Sequence, residues 1–347
     1  LRSLVGSEMC IRDSYISMKK FICTTVIVLS IIGIFFYQII TEPYYIRIGS
    51  RVYSKPLDLV MHRDFDTLKL SGKGIKIGVL DAGFGGFKTN KWLQNMEVAG
   101  YKNFVEQDTI AFFKDKEDHG TKVCINIGGK IGADTIRGLA YNAQYYLAKV
   151  DIAEKEPRAD EQRMIDGIKW LIEQDVDVIT ASVAFTIFDD FKGYTTAMLD
   201  GKSSKISHFV DSILNEKPNL VFIQSAGNEG GKEWNYISFP GDVRDVITVG
   251  SCNDTGEKRY HSSGVGIENC DYVKPDIVMN AHPIGTSFST PTITGLCATI
   301  LEHKRINRAS LISILHESGS NSNSPNREIG YGIPKCEEII KRLNGQY

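Results

Sequence analysis

Several features are scarce in these 347 residues. There is no excess of positive charge: 40 Lys and Arg stand against 42 Asp and Glu, a net charge of −2. The balance therefore gives no reason to expect a nucleic acid partner, and no block of like charge reads as a binding or solvating tail. No internal repeat or low-complexity stretch is present, which excludes solenoid and collagen-like architectures. The seven cysteines contain no C-x-x-C pair, so zinc is not indicated. Two enzyme signatures also fail on spacing. A hydrolase elbow needs G-x-S-x-G, but the serine-containing Gly285-Thr286-Ser287-Phe288-Ser289 has Ser at its last place. A dinucleotide loop needs G-x-G-x-x-G, but Gly83-Phe84-Gly85-Gly86-Phe87-Lys88 has lysine where the third glycine belongs. What remains is a chain with 42% hydrophobic and 24% charged residues, the composition of a globular enzyme.

One long apolar run is present. Met18-Lys19-Lys20 precedes Phe21–Tyr37, extending to Ile40, with no A-x-A-like cleavage site after it. About 20 apolar residues can cross a bilayer and exceed the usual signal-peptide core. Residues 18–43 are thus expected to be an uncleaved signal anchor rather than a removed signal peptide, with membrane contact through residues 21–40. Lys19 and Lys20 stay cytoplasmic in that arrangement, and the rest is extracytoplasmic, or secreted if the segment is cleaved. Residues 1–17, with Val5-Gly6-Ser7-Glu8-Met9-Cys10-Ile11-Arg12-Asp13, resemble translated sequencing-adapter read-through, which predicts a natural start at Met18; the alternative is a genuine N-terminal extension. Residues 44–73 read as a linker or N-terminal extension and 74–347 as one domain. Of the cysteines beyond Cys10 and Cys23, Cys252 and Cys270 flank a turn-rich stretch and could bridge, whereas Cys124 and Cys297 read as small buried hydrophobes. Oligomeric state is not readable.

From Gly74 onward, short apolar runs alternate with amphipathic segments. Strands are expected at 75–80, 145–150, 176–180, 220–224 and 246–249. Helices are expected at 119–127, 161–173, 204–214, 287–301, 309–316 and 334–343. That alternation predicts an α/β fold: a three-layer, doubly wound, mainly parallel sheet with helices on both faces. Functional residues in such sheets gather where strands end and helices begin.

Four residues fall at such junctions. Ser287 leads a helical run in Gly285-Thr286-Ser287-Phe288-Ser289-Thr290-Pro291, with Pro291 expected near the first turn, where a missing N–H costs little. A serine there has free N–H groups beside it, useful to an oxyanion, although a lone serine would read as a helix cap. His119 opens a helix in Asp118-His119-Gly120-Thr121. It is a natural general base if a carboxylate fixes its tautomer, and an ordinary surface or core histidine otherwise. Asp81 ends the run Lys76-Ile77-Gly78-Val79-Leu80; it is either that carboxylate or an Asx turn. Asn228, in Ser225-Ala226-Gly227-Asn228-Glu229-Gly230, can donate an amide to an oxyanion or sit as a turn residue.

In the order Asp81, His119, Asn228, Ser287 these motifs resemble the subtilisin-like serine peptidases over about residues 74–344. Lys274-Pro275-Asp276-Ile277-Val278 and Gly330-Tyr331-Gly332-Ile333-Pro334 look like the family's segments flanking the serine helix. Leu199-Asp200-Gly201-Lys202-Ser203 looks like a bacterial subgroup. The resemblance implies a serine endopeptidase with Ser287 as nucleophile, His119 as base and Asp81 as its orienting partner. It implies Asn228 with the Ser287 N–H as oxyanion hole. It also implies Ser182-Val183-Ala184 along an extended peptide or protein substrate, with Ala226 and Gly227 at the substrate-binding wall. No cofactor or metal is expected. Calcium at Asp108, Asp115 or Asp118 is conceivable, but these read as solvated loop charges.

Three features depart from the pattern. Asp81-Ala82-Gly83 replaces Asp-Ser-Gly or Asp-Thr-Gly, and Ala184 puts a Cβ where the family has glycine. The roughly 30 residues from 43 to 72 are too few for the folding pro-domain of many relatives. The rival reading is a catalytically inactive, membrane-anchored peptide-binding pseudopeptidase, whose signature would be loss of one of the four site residues. All four are present.

Overall fold

Alternation of buried side chains in Lys76–Asp81 fixes the middle of the molecule. Ile77 and Val79 enter one apolar core, whereas Leu80 enters the other, and Gly78 makes room for Leu171 on that second side. In the computed structural model, residues 45–48, 51–54, 68–106, 112–133, 135–152, 155–268 and 270–345 are described, all within the unit Tyr45–Tyr347. The segments 1–17 and 18–43, with the expected anchor, lie outside the described residues, as does Asp108. No helix among the described residues is long and apolar enough to cross a membrane.

The strands, in chain order, are β1 Tyr45–Ile48, β2 Arg51–Ser54, β3 Lys76–Asp81, β4 Glu97–Asn103, β5 Lys130–Ile131 and β6 Thr135–Ile136. They continue with β7 Gln144–Lys149, β8 Val178–Ala181, β9 Val221–Ser225, β10 Ile247–Ser251 and β11 Ile277–Met279. Seven form a sheet in the order β11-β10-β9-β8-β3-β7-β4, with every pairing parallel. The chain leaves β3 toward β4 and β7 and returns to β8 on the other side. The crevice at the carboxyl end of β3 is therefore the topological switch point.

The helices are α1 His119–Gly128, α2 Ala159–Glu173, α3 Lys205–Glu216, α4 Thr286–His303, α5 Arg308–Glu317 and α6 Cys336–Leu343. The core containing Val123, Ile127, Leu296, Ile300, Leu311 and Ile339 lies on one face of the sheet. The core containing Ile168, Leu171, Val210 and Leu214 lies on the other. Two cores on one sheet make the expected three layers.

α4 is buried on all sides although it carries four threonines past its start. It can be, because the hydroxyls of Thr290, Thr292, Thr294 and Thr299 donate to the carbonyls of Thr286, Phe288, Thr290 and Leu296 at 2.8–3.1 Å.

Two sequence expectations change, and the extension 44–73 is seen to carry strands. Residues 44–73 carry β1 and β2, an antiparallel pair whose second strand pairs with β6 in a small four-stranded sheet. Cys252 and Cys270 do not bridge: both thiols are free, and Cys252 is buried where its backbone pairs with Arg259. Pro291 sits at the sixth position of α4, beyond the first turn, so its missing N–H removes a real helical bond.

Candidate active site

Asp81, His119, Asn228 and Ser287 converge on one crevice of about 860 Å³ at the carboxyl end of the sheet, lined by His119, Asn228 and Ser287. Each arrives from a different element. Asp81 ends β3 and is fully buried; His119 begins α1; Asn228 follows β9; Ser287 is the second residue of α4.

Asp81 Oδ1 faces His119 Nδ1 at 2.8 Å. This contact fixes the tautomer: Nδ1 carries the donated proton and Nε2 is left for other work. The carboxylate raises the imidazole pKa to about 9, against a smaller opposing effect of burial. Around that pair, Asp81 Oδ1 also accepts the Ala82 N–H at 2.8 Å, Glu117 Oε1 accepts the His119 N–H at 2.9 Å, and the Phe288 ring lies 5.7 Å from the imidazole. Asp81 Oδ2 is buried without a hydrogen-bond partner.

Asn228 Oδ1 accepts from the Thr286 N–H at 3.2 Å and from the Thr286 hydroxyl at 3.1 Å. Because a backbone N–H can only donate, the amide oxygen must face Thr286, and the NH₂ end is turned the other way. The loop that brings Asn228 there needs glycine at 227. Its φ is +82°, and a Cβ would stand 2.1 Å from Ser238 Oγ.

Ser287 is 9% exposed. As a first-turn residue its N–H has no intrahelical acceptor. Its hydroxyl donates to the Ser182 carbonyl at 3.4 Å, and among the described residues it makes no hydrogen bond to His119 in this state. Such contacts are commonly long before substrate arrives.

Of the five residues expected along a substrate, four line the crevice: Ser182, Val183, Ala184 and Gly227. Ala226 does not: it is fully buried, its N–H donates to Val249 and its carbonyl accepts from Ser238, so it supports the wall from within the sheet. Of the carboxylates considered for calcium, Asp115 is paired with Lys149 at 2.5 Å and Asp118 with Lys122 at 2.7 Å. Thr286 and Glu117 were not singled out by sequence, though each is one or two residues from a site residue.

A family model described as the Subtilase family (peptidase S8) matches residues 72–332. Subtilisin NAT of Bacillus subtilis subsp. natto is 27% identical over 240 residues, covering 67% of this chain and 56% of that protein. The major intracellular serine protease of Bacillus subtilis (strain 168) is 27% identical over 248 residues, covering 68% of this chain and 70% of that protein. The match thus spans little more than half the length of subtilisin NAT. Among solved structures, the Clostridium perfringens CspB protease superposes with a TM-score of 0.68 at 14% identity, covering 83% of this chain and 97% of that chain. A cold adapted subtilisin-like serine proteinase gives 0.54 at 20%, covering 77% and 89%. Those two share the fold. With the family pattern running from residue 72 to residue 332, this chain belongs to the Subtilase family.

Proposed function

We propose that the chain is a serine endopeptidase that cleaves peptide bonds through an acyl-enzyme. The observation that supports this most directly is the 2.8 Å contact between Asp81 Oδ1 and His119 Nδ1 in the crevice that also holds Ser287. In this reading His119, once neutral, takes the proton from Ser287 Oγ through Nε2 as that oxygen attacks the substrate carbonyl carbon. The negative charge that develops on the carbonyl oxygen is received by the Asn228 NH₂ and the Ser287 N–H. Collapse expels the amine, which takes the proton back from His119. A water molecule, deprotonated by the same nitrogen, then releases the acyl group and restores Ser287. Asp81 keeps its charge throughout and holds the imidazole in register.

Family membership supports a peptide or protein substrate, and Ser182-Val183-Ala184 offers backbone groups along one edge of the crevice for strand addition. We place the activity outside the cytoplasm, delivered and tethered by residues 21–40, on the strength of their apolar run behind Lys19 and Lys20. Fractionating cells that express the full chain tests this: recovery in the soluble cytoplasm would rule it out.

The test of the chemistry is covalent labelling of the full chain with a fluorophosphonate, alongside Ser287→Ala and His119→Ala. Labelling of the wild type that is lost in Ser287→Ala and strongly slowed in His119→Ala is the expected result. An unlabelled wild type, or equal labelling of Ser287→Ala, would overturn the reading.

A further inference from the structure

The crevice that holds Ser287 is strongly one-signed. Six acidic residues line it, Glu117, Asp151, Glu156, Asp189, Glu229 and Glu233, against two basic ones, Lys232 and His119, the second of which is already paired with Asp81. The chain as a whole is nearly neutral, so this is a local concentration and not a reflection of overall charge. They come from four separate stretches of sequence that the fold gathers at the same end of the sheet.

Few of these charges are answered by a cation. Lys232 is held by Glu229 at 2.9 Å. Behind the wall, Arg163 pairs with one oxygen of Asp160, whose other oxygen is buried and lacks any hydrogen-bond partner. Asp151 is 9% exposed and lines the crevice; Asp160 stands against it, and Asp151 Oδ1 accepts the Ile152 N–H at 2.7 Å. Asp189 accepts the Glu156 N–H at 3.0 Å, and neither its carboxylate nor those of Glu156 and Glu233 forms an ion pair among the described residues. The titration behaviour agrees. Desolvation, then Glu156 and Asp160, lifts Asp151 to about 8. Desolvation, then Asp160, Asp189 and Glu229, lifts Glu156 to about 7. Carboxylates crowded without cations resist ionisation, and a cation among them would reverse that.

The wall is not uniformly polar. Phe188 and Trp234, both largely buried, and the exposed Ile187 line the same space. An apolar lining that ends in carboxylates matches a side chain with a long hydrocarbon stem and a charged head. A bare metal ion fits less well, because no three acidic, His or Cys side chains among the described residues converge closely enough to hold one.

We propose that this crevice selects peptides carrying lysine or arginine on the acyl side of the scissile bond, with the stem along Phe188 and Trp234 and the cation among Asp151, Glu156, Asp189 and Glu233. This rests on the peptidase reading above. Acyl-side placement follows from the wall itself, since Glu229 directly follows Asn228, and Asp189 lies a few residues beyond the Ser182–Ala184 edge along which the acyl part would lie.

Peptide anilides that differ only in the residue before the scissile bond, Lys, Arg, Ala, Phe or Glu, test it on the full chain. Lys and Arg should exceed Ala and Phe by at least about tenfold in kcat/KM, with Glu the poorest, and the ratio should narrow at high salt. Asp189→Asn and Glu233→Gln, both at exposed positions that folding should tolerate, should each lower the Arg-to-Ala ratio several-fold, and the pair together further. A preference for Phe, Ala or Glu, or a ratio that neither variant moves, would overturn the inference. So would a basic preference that appears only when calcium is added, because the carboxylates would then be serving an ion. Fluorophosphonate labelling separates the two levels: labelling without basic preference removes this inference alone, and no labelling removes both.

Discussion

The Ser182 hydroxyl donates to the backbone carbonyl of Ser287 at 3.0 Å, the place in α4 where an N–H from position 291 would normally arrive. Position 291 is proline and has no N–H to give. A side chain from the strand end of β8 therefore completes a helical bond next to Ser287. Leaving a buried carbonyl unsatisfied costs about 1–3 kcal/mol, so Ser182→Ala should lower unfolding free energy by that order. The cost should shrink in a Pro291→Ala background, where the alanine N–H can reach Ser287. Denaturant unfolding of both single variants and the double variant checks it. An equal cost of Ser182→Ala in both backgrounds would show that the hydroxyl does not stand in for the helix.

His119 sets an expected pH dependence. Asp81 holds the folded-state pKa at about 9, above the ordinary 6.5 of an unfolded histidine. In the proposed mechanism the imidazole must lose that proton to act as base, so kcat/KM should rise with pH to a plateau beyond about 9. The sign for stability is opposite. The Asp81–His119 pair stabilises the fold fully below pH 6.5, and that contribution is lost as pH rises through 9. Asp81→Asn should move the alkaline-rising limb down and cut kcat by about 10⁴-fold, the scale known for loss of a triad carboxylate. A limb that stays in place in Asp81→Asn would assign it to another group.

The amide of Asn228 is aimed by Thr286, and two substitutions separate aim from chemistry. Asn228→Ala removes the donor and should lower kcat about 10²–10³-fold, the size of loss known for the oxyanion-hole asparagine of subtilisin. Thr286→Val keeps the backbone N–H but deletes the hydroxyl at 3.1 Å, so the amide is held by one bond instead of two. A several-fold drop in kcat with KM nearly constant is expected. A change confined to KM would mean that Thr286 shapes substrate binding instead.

Much of this was legible from sequence because buried parallel strands are continuous apolar runs and their ends are marked by short polar motifs. The cores of β3, β7, β8, β9 and β10 were found that way, as were, within a few residues, the six α-helices among the described residues. β4 was not, since Glu97–Asn103 is an edge strand whose polar, partly exposed residues carry no buried run. β11 is only three residues long, and the small sheet uses strands of two to four. At the site, Asp81, His119, Asn228 and Ser287 could be read locally. The bond from Ser182 to Ser287 spans 105 positions and depends on a proline whose place in the helix was set one turn too early. The acidic wall was invisible because its members are scattered from Glu117 to Glu233 and each looks like a solvated loop charge.

Ala82 offers the last test, because it sits where the family pattern carries a hydroxyl. Asp81 Oδ1 accepts from the Ala82 N–H and faces His119, while Oδ2 is buried with no partner. A carboxylate with fewer donors keeps more of its charge for the imidazole, consistent with the high His119 pKa. Ala82→Ser adds a hydroxyl on the residue next to Asp81, whose N–H already reaches the same carboxylate. If it donates to Oδ2, part of the charge is neutralised, the His119 pKa falls, and the rising limb of kcat/KM shifts to lower pH. Activity near neutral pH then increases, and the satisfied oxygen adds roughly 1 kcal/mol of stability. The pH–rate profile and the unfolding midpoint of Ala82→Ser decide the matter together. A limb that does not move, or moves up, would show that the unpartnered oxygen is not what holds the imidazole in its charged form.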